Sequence, residues 1–144
     1  MESHRKLAAW AAACAERAVE RFCVDERPPL ALVAARAWAK GEVKPGVCMK
    51  AAVAAHAAAR EADDPQSVAA ARAAGHAAAT AHAADHSLGA ALYAARAAEN
   101  ADMELDWQIA QAPPELRALI ASAIGMKLEA APGFLGVKHK KPSA

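Results

Sequence analysis

The sequence predicts an all-α protein, a bundle or short stack of about six to seven helices packed closely through alanine. Three observations lead there. Alanine occupies 46 of 144 positions, and it is the strongest helix former because it loses no side-chain entropy on folding. The β-branched and aromatic residues that favour strands are scarce, with aromatics at 4%. Prolines and Asp-Pro or Pro-Pro pairs recur at intervals suited to opening helices rather than interrupting them. Leu, Ile, Val and Phe together number only 23, so the helices must approach closely for methyl groups to fill the space between them.

The elements follow in order. A first helix runs from about Ser3 to Cys23, with Leu7, Trp10, Cys14, Ala18 and Phe22 on one face and Arg5, Glu16 and Glu20 opposite. This phase continues through the apolar run 7–15, so the stretch reads as a mature helix and not as a leader peptide. Pro28-Pro29 opens a second helix that Gly41 closes near Lys40. A third helix follows Pro45 and reaches about Ala62. Asp63-Asp64-Pro65 combines an Asp cap with proline in the first turn and opens a fourth, expected over Pro65 to Ala84. A break at Asp85-His86-Ser87 leads to a fifth helix ending near Asn100. A short sixth centres on Met103 to Ala110, and Pro113-Pro114 opens a seventh that ends near Glu129.

One helical domain over 1–130 and a flexible basic tail over 131–144, carrying Lys138 to Lys141, complete the expected organisation. Pro29, Arg36 and Arg60 recur as Pro65, Arg72 and Arg96 at an offset of 36 residues. The repeat predicts two helical hairpins stacked side by side, although an alanine-rich sequence also produces such matches by chance.

Several functions are disfavoured. There are 17 Lys and Arg against 16 Asp and Glu, spread along the chain, so no basic stripe suits nucleic acid. No uncharged apolar run reaches the ~18 residues of a membrane span. Cys14, Cys23 and Cys48 lack motif spacing and read as small apolar residues in a reducing cytoplasm. No nucleophile elbow and no phosphate-binding glycine loop is present, so no catalytic residue is assigned, and no cofactor is expected.

The fourth helix is unusual. Between Val68 and Ala84 it has no large apolar side chain and almost no Glu or Lys. A helix without a polar face belongs in the middle of a bundle. Its polar residues Arg72, His76, Thr80 and His82 then need partners or line a cleft. With His56, Arg60 and His86 they form the candidate binding set. The recurring arginines either pair with acids such as Glu42, Glu61 and Glu99 or form an anion site. A metal, if one binds, would draw on His82, Asp85, His86 and His56, but no Glu-x-x-His or His-Glu-x-x-His spacing supports it.

The segment 34–42, the segment 54–60 and above all Ala74-Gly75-His76-Ala77-Ala78-Ala79-Thr80-Ala81-His82 resemble bacterial immunity proteins with an Imm-5-like domain. The resemblance covers roughly residues 5 to 125 and implies a cytoplasmic helical protein that binds and neutralises a cognate toxin. Two other readings stay open. One is a small-ligand or metal-binding helical protein, enzymatic or not, built on the fourth-helix histidines. The other is a self-associating structural protein whose alanine faces pair in a homodimer.

Overall fold

A computed structural model describes residues 2–136. Seven α-helices and no strands are found among them: α1 Glu2–Phe22, α2 Arg27–Ala39, α3 Pro45–Glu61, α4 Pro65–Ala79, α5 His86–Ala97, α6 Ala101–Gln111 and α7 Arg117–Ala130. A single 3-10 turn, Pro114–Leu116, precedes α7. The all-α prediction therefore holds.

Local chemistry sets most boundaries. Pro28 and Pro29 stand in the first turn of α2, where their missing N–H groups cost nothing. Gly41 ends that helix at φ +78°, and the Glu42 N–H closes back on the Ala37 carbonyl at 2.9 Å. Asp64 caps α4 by accepting the Ser67 N–H at 3.0 Å, and the Ser67 hydroxyl donates to the Phe22 carbonyl at 2.8 Å. Asn100 caps α6 through the Met103 N–H at 3.0 Å.

α4 is the central helix. It packs against α1, α2, α3 and α5. Eight of its fifteen residues are buried, and all eight are alanine or glycine. Hairpins α2–α3 and α4–α5 lie against each other through α3 and α4, and α1 crosses both. α1 also joins two cores. Ala8, Ala11, Ala15 and Val19 enter the alanine core around α4. Trp10 and Cys14 instead meet Leu88, Leu92, Leu105, Ile120 and Ile124 under α6 and α7.

One boundary differs from expectation. α4 stops at Ala79 rather than Ala84, and 80–85 form turns. No local breaker causes this. Thr80 is completely buried, and its carbonyl accepts a hydrogen bond from the His4 imidazole of α1. The His82 Nε2–H donates to the Pro45 carbonyl at the start of α3, at 3.1 Å. Contacts distant in sequence therefore terminate the helix. Past α7, Phe134 packs edge-on against Tyr93 with ring centroids 4.9 Å apart, so residues 131–136 fold back onto α5. Lys138 to Lys141 lie outside the described residues.

Candidate functional site

Three helices present matching faces around α4. On α4, Val68, Arg72, His76 and Ala79 form its half-buried stripe at helical spacing. On α3, Val53, His56 and Arg60 flank it, and on α5, His86, Gly89 and Tyr93 do. This strip of half-buried and exposed side chains over α4, between α3 and α5, is termed the furrow.

The imidazoles meet inside this furrow. His76 Nδ1 lies 3.2 Å from His86 Nδ1. The His56 ring stands edge-on to His76 with centroids 5.3 Å apart. Tyr93 stacks on His76 at 5.3 Å and 15°. The Arg72 guanidinium donates to His56 Nδ1 at 3.3 Å, which places the His56 proton on Nε2. Two glycines make room. A Cβ on Gly75 would fall 2.6 Å from the His56 ring, and a Cβ on Gly89 would fall 2.7 Å from His76 Nδ1. Each helix thus lends a glycine to a ring carried by its predecessor.

Burial and cationic neighbours favour the neutral forms of His76 and His56. Burial pushes His76 down to about 4, and His56, His86, Arg72 and Lys127 add to the effect. Burial also lowers His56, followed by Arg72, Arg60 and His86. The charged neighbours acting on both are all cationic.

Of the sequence-derived candidates, His56, Arg72, His76 and His86 are brought together, and Arg60 sits one turn beyond His56, exposed. Thr80 and His82 are not part of the cluster. They anchor the turn after α4, with the Thr80 hydroxyl donating to the His76 carbonyl at 3.0 Å. The metal quartet does not assemble. His82 turns to Pro45, Asp85 pairs with Lys127 at 3.3 Å, and among the described residues no three potential ligands converge. The arginines also depart from their expected partners. Arg36 pairs with Glu16 at 2.8 Å, Arg27 takes Glu61 at 2.6 Å, and Arg96 donates to the Phe134 carbonyl at 3.0 Å. Sequence reasoning missed Gly89, Tyr93 and Lys127. The signal for two of them was present, because His86, Gly89 and Tyr93 recur at i, i+3 and i+7 on one helix.

The thiols offer no reactive group. Cys14, Cys23 and Cys48 are unpaired, and burial raises all three, Cys23 to about 11. Elsewhere a groove of about 680 Å³ runs between α1, α5 and α6, but its Arg17 and Glu104 neutralise each other at 2.8 Å.

The family model described as "Imm-5 like putative immunity protein" matches residues 1–115. The chain belongs to this Imm-5-like immunity family. The match spans α1 to α6 and includes every residue of the furrow contributed by α3, α4 and α5. α7, with Lys127, and the segment 131–136 lie outside the matched residues. No curated protein and no solved structure matches the chain. No helix is long and apolar enough to cross a membrane among the described residues.

Proposed function

We propose that this Imm-5-like protein neutralises a cognate bacterial toxin by direct binding in the cytoplasm of the cell that makes both. The family match over residues 1–115 carries the reading. The architecture supports it. An alanine-packed bundle with a capped central helix holds its surface residues rigidly, and a preorganised surface loses little entropy on association. The furrow residues His56, Arg60, Arg72, His76 and His86 are the proposed contact surface, with Thr80 and His82 fixing the turn beside them. The reading invokes binding and no catalytic step, as the immunity description of the family suggests.

Co-expression with a candidate toxin, sought among the products of neighbouring genes, tests the proposal. Wild-type protein should restore growth and elute with the toxin. Continued growth arrest, with no co-elution, would sink it.

A further inference from the structure

We propose that the furrow over α4 is a carboxylate-recognition site that takes acidic side chains of the protein partner, through Arg60 and Arg72. This rests on the immunity reading for the nature of the partner, though the anion site itself stands on the furrow's own geometry.

The charge balance around the furrow is one-sided. Arg60 and Arg72 lie beside the imidazoles, while Lys127, the third cation acting on His76, is already paired with Asp85 at 3.3 Å. The nearest acids in sequence are engaged elsewhere. Glu61, beside Arg60, is held by Arg27 at 2.6 Å, and Asp85, beside His86, is held by Lys127 at 3.3 Å. Arg17, Arg27 and Arg36 each have a carboxylate within 2.8 Å. Arg72 instead donates to a neutral imidazole nitrogen at 3.3 Å. Arg60 makes no ion pair among the described residues. A guanidinium gains most from a planar bidentate oxyanion, and these two lack one.

The same charges weigh against a cation. His76 and His86 present two nitrogens at a separation a metal could bridge. The Arg72 guanidinium acting on His76 would repel that metal. An oxyanion is the ligand class that the surroundings attract. A free phosphate and a protein carboxylate share this chemistry, and the rim distinguishes them. Met49 and Val53, two turns and one turn before His56 on α3, are 45% and 59% exposed. Apolar side chains at the edge of a cationic furrow suit a protein segment with a hydrophobic contact beside its acids. They offer a free phosphate nothing.

The experiment uses the full chain at low ionic strength, titrated separately with a hexaglutamate peptide and with inorganic phosphate. The imidazole nitrogen resonances of His56, His76 and His86 and the arginine Nε–H resonances are followed by NMR. Saturable shifts at these groups are expected with the peptide, at lower concentration than with phosphate. Arg60→Gln, an exposed site that leaves the fold intact, should weaken peptide binding about fivefold, as loss of one screened charge pair implies. Arg72→Lys retains the charge but loses the planar fork and should bind about threefold more weakly than wild type, while Arg60→Gln with Arg72→Gln should lose more than about tenfold. Absence of saturable shifts, or unchanged affinity in both Gln variants, would overturn the site. Tighter binding of phosphate than of peptide would overturn the protein-carboxylate assignment. The growth assay separates this inference from the reading beneath it. If wild type protects and Arg60→Glu with Arg72→Gln protects equally, the furrow assignment fails and immunity stands. If wild type does not protect, immunity fails, and the titration still decides whether the furrow binds anions.

Discussion

His76 Nδ1 and His86 Nδ1 lie 3.2 Å apart, so one ring must donate and the other accept. Charging both rings would set two N–H groups against each other in a partly buried space that Arg72 and Lys127 already make positive. The pair therefore disfavours charging both rings.

Stability should follow from this as a function of pH. His76 has its folded value near 4, against an ordinary 6.5. Between those values the unfolded chain binds more protons than the folded one, so stability increases with pH across the window. It is complete above about 6.5 and falls as pH drops toward about 4. His56, shifted the same way, adds to the loss. Allowing for the partial exposure of the His76 ring, about 2 kcal/mol should disappear. Urea melts at several pH values check this, and a His76→Gln variant should show a flatter profile.

Glycine substitution should have a sign that depends on the facing ring. Gly to Ala in a helix interior ordinarily stabilises by about 1 kcal/mol. At Gly75 the new methyl would lie 2.6 Å from a His56 ring wedged between Arg72 and His76. Gly75→Ala should instead destabilise by about 1–3 kcal/mol. In a His56→Ala background the same change should become neutral or stabilising. Gly89→Ala, facing His76, should behave likewise. Denaturant melts of the single and double variants read the reversal.

Overpacking should expose the closeness of the central helix. Ala74 is completely buried in the alanine core. Ala74→Leu adds three carbons where helices meet through methyl groups, and should cost about 3 kcal/mol or prevent folding. Ala57→Leu on the more open face of α3 should change stability by less than about 0.5 kcal/mol. Thermal melts of both variants make the comparison.

The turn after α4 should be separable from the furrow. His82→Ala removes one exposed hydrogen bond to Pro45 and should cost about 0.5–1 kcal/mol. It should leave the pH dependence unchanged, because His82 is not in the imidazole cluster. The same melts used for His76→Gln provide the check.

These contrasts show how much was legible in the sequence. Helix number, the proline and Asp64 starts, the Gly41 stop and the central place of α4 all follow from local propensity and from the lack of a polar face. The end of α4 does not, because Thr80 and His82 are held by His4 and Pro45, 76 and 37 residues away. The histidines were identifiable as a group, but the natural pairing by spacing was His82 with His86. The actual pairs are His76 with His86 and His56 with His76, made between helices. Gly89 and Tyr93 share a helical face with His86, but that spacing alone does not show that the His76 ring of another helix lies against them.

Calorimetry of purified wild-type protein with a purified candidate toxin, sought among the products of neighbouring genes, tests the central claim most directly. The account predicts saturable binding that weakens steeply with added salt and is reduced in Arg60→Gln. A toxin that gives no binding heat and no complex by size exclusion would contradict it.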